Sequence, residues 1–467
     1  MIEKYNARDT ALQILIKIER NNAWSSLSIN SHLENSGLSA EDKALAASLV
    51  TGVIERLYTL DYNLSLCLKR PLSRLKPRLL AILRVAAYQL LCMDKIPASA
   101  AVNEAVKQAK TYEPYAAGLV NAVLRKLAEN GTGADTRPAP AGINHDAGLV
   151  KYFKIKYSVS EHLAELLIKD YGADTAETFL SAAIEKPLLY IRANTLKTDA
   201  EGLKAALLKD GAEAEGVDGV KNALILKSPG NITRLKAFRD GFFHVQDLSS
   251  QVCAMAVNPQ KGDAVTDVCS APGGKAFTMA QYMENTGEIA ACDIYPHKIK
   301  LIEDGIERLG IKNIKTLIRD ASATPNSYFL TPNSYDKVIC DAPCSGFGVI
   351  GRKPEIKYKT GEEIASLPGL QFKILENSAE LVKKGGTLTY SVCTLGKAET
   401  VEVADSFLEN NKDFESVKVL PDVKRDEPGD YLTVLPDVMP RPCDGFFIAQ
   451  FIRQNFIRRM DNNPLPV

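Results

Sequence analysis

The chain has 467 residues, enough for two to four domains, and its 57 basic and 57 acidic residues cancel to a formal net charge of zero. No apolar run approaches the ~20 residues that a bilayer span needs, and the mixed-charge start "MIEKYNARDTALQILIKIER" lacks the pattern of a secretory signal. Its nine cysteines are an odd number without a Cys-x-x-Cys pair, and its five histidines are scattered, so free thiols in a reducing, cytoplasmic setting are expected, with neither a disulfide framework nor a bound metal.

Residues 1–130 are expected to form an all-helical domain. In "ALQILIKIER", Ala11, Ile14, Leu15 and Ile18 fall on one helical face, and "AVNEAVKQAK" and "AAGLVNAVLRKL" repeat the pattern. This third holds 17 basic and 12 acidic residues. The excess centres on "LKRPLSRLKPRLLAILR", with Lys69, Arg70, Arg74, Lys76 and Arg78 and no acid between Asp61 and Asp94. Two readings stand open: a solvated helix face, or a phosphate-binding face for nucleic acid. Residues 131–148, rich in Gly, Pro and small polar residues, read as a linker. Residues 149–235 mix helical stretches with the short strand-like pieces "LLYIRANTL" and "NALILK", which predicts a small α+β domain.

The texture changes over 236–455. The apolar runs "DAVTDVCS", "GEIAACDI", "IKTLIRDA", "YDKVICDAP" and "GGTLTYSVC" alternate with helical ones, the pattern of a Rossmann-like α/β domain with a parallel sheet. "DGFFIAQFIR" reads as a final strand, placed antiparallel at the sheet edge, and 456–467 as a tail. Ligands of such sheets bind at the carboxyl ends of the strands, where Asp267, Asp293, Asp320, Asp341 and Cys393 fall. "VTDVCSAPGGKAFTMA" is strand, tight turn and helix, with Gly273 and Gly274 allowing close backbone approach. Asp293, 19 residues after Gly274, is placed to hold both hydroxyls of a ribose. Neither the dinucleotide fingerprint nor the phosphate loop is present, so a nucleoside cofactor without pyrophosphate fits best. S-adenosylmethionine answers that description, and a nicotinamide cofactor or a purely structural turn are the alternatives.

The motifs "DVCSAPGGK", "DAPCSGFGVI" and "SVCTL" resemble the signature set of RNA cytosine-C5 methyltransferases, and "VNEAVKQAK" with "GLVNAVLRKL" resembles a NusB-type RNA-binding domain. With "FHVQDLSSQ" and "DGFFIAQF", nearly the whole chain is similar to the bacterial Sun/Fmu type, which acts on 16S ribosomal RNA. The resemblance implies a cofactor loop over Cys269, Ser270, Ala271, Pro272, Gly273, Gly274 and Lys275. It places the ribose acid at Asp293 and an acid beside the adenine at Asp320, with Asp341 where cofactor and target base meet. Cys393 is the implied nucleophile and Cys344 the second thiol that assists product release, while Lys275 is a candidate to help Cys393 ionise. Arg352 joins Lys69, Arg70, Arg74, Lys76 and Arg78 as an expected RNA contact. Two positions depart from the usual pattern, Val392 for a threonine and Gly351 for a basic residue; neither removes a reacting group. The substrate is expected to be 16S ribosomal RNA or a small-subunit assembly intermediate, and the protein a monomer. A transfer-RNA methyltransferase and a catalytically dead assembly factor are the rivals: the NusB-like extension argues against the first, the intact acids and thiols against the second.

Cysteines at strand ends are more often small buried hydrophobes than nucleophiles, and Cys67, Cys92, Cys253, Cys269, Cys292, Cys340 and Cys443 are read that way. Cys344 and Cys393 differ because each closes a strand beside the cofactor cleft inside a matching motif.

Overall fold

A computed structural model describes residues 6–21, 32–130, 148–227, 230–324, 330–423, 429–436, 438–439 and 441–455. Most of the expected linker (131–147) and the tail 456–467 lie outside the described residues. The chain divides into two compact units, residues 1–184 with 353–360, and residues 185–352 with 361–467.

The first unit is helical. Ala7–Asn21, Ala40–Glu55, Leu57–Cys67, Pro77–Cys92, Ala98–Tyr112 and Ala117–Asn130 share one apolar core. Ser39 caps the second of these by accepting the Asp42 amide, and Pro77 opens the fourth at a position where no N–H is missed. Pro77–Cys92 buries Leu79, Leu80, Ile82, Leu83, Val85 and Ala86, apolar on nearly every side, as a central helix must be. The basic run Lys69–Lys76 therefore lies in the irregular turn ahead of this helix and not along a helix face.

Three more helices, Leu149–Tyr157, Glu161–Tyr171 and Ala173–Ala183, complete the unit, with Thr59 Oγ1 donating to Ile155 O at 2.5 Å. Residues 353–360 join them from far along the chain. Tyr358 donates to Ile54 O at 2.5 Å, hydrogen-bonds Ser158 at 2.9 Å and stacks edge-on against Tyr58, while buried Lys357 reaches the carbonyls of Glu55 and Tyr157.

The second unit holds two sheets. β1 (Tyr190–Ala193), β2 (Glu213–Gly216), β3 (Ala223–Lys227) and β4 (Phe243–Val245) form an antiparallel sheet in the order β2-β3-β1-β4. The helix Ala200–Lys209 packs Leu203 and Leu207 into its core. The larger sheet comprises β5 (Ala264–Asp267), β6 (Glu288–Asp293), β7 (Ile314–Ile318), β8 (Tyr335–Asp341), β9 (Val382–Val392), β10 (Phe414–Val417), β11 (Leu432–Val434) and β12 (Phe446–Arg453). Its order is β10-β12-β9-β8-β5-β6-β7, with β11 also on β12; β5 to β9 run parallel and β12 antiparallel to β9. β12 is thus antiparallel as expected, but β10 and β11 pair beyond it, so it is not the edge. Its run from Phe446 to Phe451 is buried throughout, which suits an inner strand.

Candidate active site

The site is built where five parallel strands end. β5 stops at Asp267, and the turn that follows is stitched to its neighbours: Val268 N donates to Ile339 O, Ser270 N to Cys292 O, and Gly273 N to Ser270 O. Gly273 has φ +104°, and a Cβ there would lie 2.4 Å from the Phe277 ring, so glycine is required twice over. The helix Gly274–Tyr282 starts directly behind it.

Asp267 is 1% exposed and its carboxyl oxygens lack a well-formed hydrogen bond among the described residues; the Ser270 hydroxyl and the Cys269 amide lie beside it and lower its pKa only in part. Burial first, then the charge of Asp341, pushes Asp267 up to about 7, against the opposing pull of Lys275. A buried carboxyl poorly met by donors is a place prepared for an external one. Asp293, at the end of β6, keeps Oδ1 on the Tyr295 amide at 3.1 Å and has Lys298 Nζ 3.7 Å from Oδ2. Asp320 is exposed beyond β7, and the Ser322 hydroxyl and amide hold it below the usual aspartate range. These residues fit S-adenosylmethionine: a buried acid that could meet its ammonium, a glycine turn that allows close approach, and an acid one strand further on that could meet its ribose.

The end of β8 meets the end of β9. Asp341 accepts from Lys275 Nζ at 2.7 Å and from Ser391 Oγ at 2.8 Å. Burial is the largest single influence on Lys275 and disfavours its charge, but Asp341, Cys253 and Asp267 together outweigh it, so the ammonium is held above its usual value. Cys344 and Cys393 face each other with their sulfurs 3.3 Å apart. The hydrogen bond to Cys393 and then burial raise the Cys344 thiol well above its usual value.

A dense set of contacts fixes this spacing. Ser345 Oγ lies 2.7 Å from Thr394 Oγ1, and Ser345 N donates to Glu399 at 2.8 Å. Gln371 Nε2 donates both to Glu399 and to Pro343 O. Gly348 N donates to Cys393 O, Gly445 N donates to Gly348 O, and a Cβ on Gly348 would sit 1.9 Å from Gly445 O.

Arg352, expected to face RNA, spends its guanidinium inside the unit: Nε bonds both oxygens of Asp444 at 2.9 Å, and Nη2 bonds Asp247 at 2.5 Å and Leu188 O at 3.0 Å. Among the basic residues of the first unit, Lys69, Arg70 and Arg74 are exposed and make no ion pair among the described residues. Lys76 pairs with Glu113 at 3.3 Å and lies over Tyr115, and Arg78 lies over Tyr112. Arg84 is taken by Asp61 in a two-bond fork.

The remaining cysteines include Cys253 and Cys292, which burial pushes up to about 12, and Cys340, buried and inert. Buried His244 is held neutral, at about 3, by burial and Arg192. No described group of His, Cys, Asp or Glu is arranged to hold a metal ion, and no described helix is long and apolar enough to cross a membrane. The sequence reading noticed Asp267 as a strand end without giving it a site role, and passed over Glu399, Gln371 and Ser391. Asp267 was visible as the acid opening the glycine turn. The other three act through partners 28 to 54 residues away, which no local signal reveals.

Acids at the ends of β5 and β6, a glycine turn, a thiol pair and a lysine–aspartate pair at the carboxyl ends of a parallel sheet are consistent with an S-adenosylmethionine-dependent RNA methyltransferase. The comparisons with known proteins agree. Residues 254–452 match the 16S rRNA methyltransferase RsmB/F model, 5–129 the NusB family, and 160–233 the ferredoxin-like domain of RsmF/B-like methyltransferases. A Bacillus subtilis protein named "Probable ribosomal RNA small subunit methyltransferase B" is 35% identical over 96% of this chain and 99% of its own length. One of the same name from Synechocystis is 33% identical over 95% and 98%. The crystal structure of PH0851 superposes with TM-score 0.77 at 26% identity, covering 95% of this chain and 98% of that one. The chain belongs to the 16S rRNA methyltransferase RsmB/F family.

Proposed function

We propose that the chain transfers a methyl group from S-adenosylmethionine to carbon 5 of a cytosine in 16S ribosomal RNA, through a transient bond between Cys393 and carbon 6. The observation that carries this reading is the pair of thiols, 3.3 Å apart at the ends of adjacent strands and next to the Lys275–Asp341 pair. Carbon 5 of cytosine is too weak a nucleophile to accept a methyl group unaided, and addition of a thiolate at carbon 6 turns the ring into an enamine. S-adenosylmethionine, when bound, supplies the electrophilic methyl group and a positive charge that favours a nearby thiolate.

The chain's own residues do the rest. Cys393 adds to carbon 6, while Asp341, fixed by Lys275 and Ser391, holds a proton at N3. Once carbon 5 carries the methyl group, its proton leaves to solvent water, the carbon 5–carbon 6 double bond re-forms, and the sulfur–carbon bond breaks to return Cys393 as thiolate; Cys344 assists this release. Cys269 to Lys275 cradle the cofactor, with Asp293 on its ribose and Asp320 beside its adenine. The target base must leave its stack, at a cost of a few kcal/mol that is lower in a loop or bulge. Lys69, Arg70 and Arg74, with Lys76 and Arg78, hold RNA phosphates; Arg352 acts by positioning the loop that carries Cys344. Such a substrate places the enzyme in the cytoplasm, on free RNA or a partly assembled small subunit.

Bisulfite sequencing of ribosomal RNA from cells with and without the gene tests the substrate. One cytosine of 16S RNA should lose protection in the deleted strain. Loss of protection in another RNA, with 16S unchanged, would transfer the activity to that RNA.

A further inference from the structure

Two thiols 3.3 Å apart raise a question of charge. Both cannot be thiolates, and the mechanism needs the anion on Cys393. Nothing in the separation itself makes that choice, since each sulfur closes a parallel strand and each is half-buried.

The surroundings are not symmetrical. Glu399, in the turn that follows the second thiol, is 3% exposed. Its Oε2 accepts the amide of Ser345, the residue directly after Cys344, at 2.8 Å, and the Gln371 side chain at 2.9 Å. Its Oε1 is buried without a hydrogen-bond partner, and no ion pair with a described lysine or arginine neutralises it. A buried carboxylate one peptide unit from Cys344, met by two amide donors but by no described cation, therefore sets a negative field at that sulfur. Asp341, the other acid near the thiols, has its charge met by Lys275.

We infer that Glu399 is a positioning residue that decides which thiol carries the charge: its carboxylate keeps Cys344 as a neutral thiol in the resting enzyme and leaves the anion to Cys393. The inference rests on the proposed roles of the two cysteines and adds the device that separates them. The groups facing Cys344 are Cys393, Glu399, Asp341 with its partner Lys275, and the buried phenol of Tyr390. Of these, Glu399 can be neutralised without touching the residues assigned to cofactor or base. Both Cys393 and Glu399 raise the Cys344 thiol, in agreement with the geometry. The Ser345–Thr394 hydroxyl pair and the Gln371 bridge to Pro343 O make the same carboxylate an anchor for the Cys344 loop.

Glu399→Gln separates charge from shape. The amide oxygen can still accept from Ser345 N, and its NH2 can meet Gln371 Oε1, which is buried and has no partner among the described residues. Glu399→Asp keeps the charge and serves as control. The full-length protein is treated with iodoacetamide between pH 6 and 9. Peptides 338–352 and 385–397 are then followed by mass spectrometry, with buried Cys340 as internal reference. A thiol reacts as its thiolate, and one unit of thiol pKa changes the reactive fraction about tenfold. In the native chain Cys393 should be alkylated on the order of tenfold faster than Cys344, or more. In Glu399→Gln that preference should shrink by about tenfold, with S-adenosylmethionine binding retained, and Glu399→Asp should keep it. An unchanged preference in folded Glu399→Gln, or a shift equally large in Glu399→Asp, overturns the inference. Should Glu399→Gln fail to fold, the native chain still decides: equal rates, or a faster Cys344, contradict the charge placement. The test is independent of methyl transfer, so a protein that forms no adduct with RNA refutes the proposed mechanism without touching this result.

Discussion

Asp267 ties the stability of the chain to pH, and would tie cofactor binding to pH as well if it meets the cofactor's ammonium. Its carboxyl is buried, poorly met by donors and pushed up to about 7, so between roughly pH 4 and 7 the folded chain binds a proton that the unfolded chain releases. Stability from this group is present at low pH and lost as pH rises through about 7. Asp267→Asn should therefore raise the melting temperature at pH 8 and change it little at pH 4. Cofactor binding should move the opposite way. The ionised carboxylate is the form that accepts an ammonium, so affinity in the native chain should climb from pH 6 to 7.5. The variant should bind ten- to a hundred-fold more weakly with that slope gone, as expected for a lost charged hydrogen bond. Calorimetric titration at three pH values measures both; a slope that survives in Asp267→Asn refutes the assignment. Asp293→Ala should likewise weaken cofactor binding while leaving RNA binding nearly intact, and an unchanged cofactor affinity would remove Asp293 from the ribose site.

At the scale of elements, the two thiols are held together by backbone as much as by side chains. Gly348 lies so close to Gly445 that an added Cβ would be 1.9 Å from its carbonyl oxygen, and its amide is bonded to Cys393 O. Gly348→Ala should destabilise the chain by about 1–3 kcal/mol, as overpacking does, and slow methyl transfer far more than it weakens cofactor binding. Denaturant melts and single-turnover assays would show both; unaltered turnover would mean that the loop does not set the thiol spacing. The segment 353–360 offers a separate test within the first unit. Burial and Arg56 bring Lys357 down to about 8, so the unfolded chain holds more protons between pH 8 and the ordinary lysine value. Stability contributed by this group should rise with pH across that window, and Lys357→Met should flatten the rise.

Elements also show what a sequence displays and what it conceals. The five parallel strands are legible because each is a short apolar run ended by an acid or a thiol, and the sheet topology brings those ends together. β2, β4, β10 and β11 have three or four residues each, too few for period-two alternation to stand out. β12 reads as an edge strand only because its partners on the side away from β9, β10 and β11, are among those inconspicuous strands. The basic run before Pro77 is plain in the sequence, but the partners of Lys76 and Arg84 are not, since Glu113 and Asp61 lie 37 and 23 residues away. Arg352 is the same case at longer range, with carboxylates 92 and 105 residues off.

In the whole molecule, one unit is helical and carries exposed basic residues, and the other gathers two thiols and a glycine turn at the carboxyl ends of its parallel strands. Lys69, Arg70 and Arg74 are exposed cations of the basic run that have no ion-pair partner among the described residues. Replacing all three with Ala should lower the slope of log affinity against log salt by about 2–3, close to one counterion for each lost phosphate contact. A filter-binding series in salt checks this, and an unaltered slope would return the segment to the role of a solvated turn.

The covalent step is tested most directly by a denaturing gel of RNA incubated with S-adenosylmethionine and the native chain, Cys393→Ala or Cys344→Ala. With 5-fluorocytosine at the target, carbon 5 carries no removable proton, so the native chain should be trapped as a slow, denaturant-resistant band. With ordinary RNA, Cys344→Ala should accumulate the same band, and Cys393→Ala should give none with either RNA. A band formed by Cys393→Ala and missing from Cys344→Ala would exchange the roles of the two thiols, and no band from the native chain on the fluorinated RNA would contradict the covalent mechanism itself.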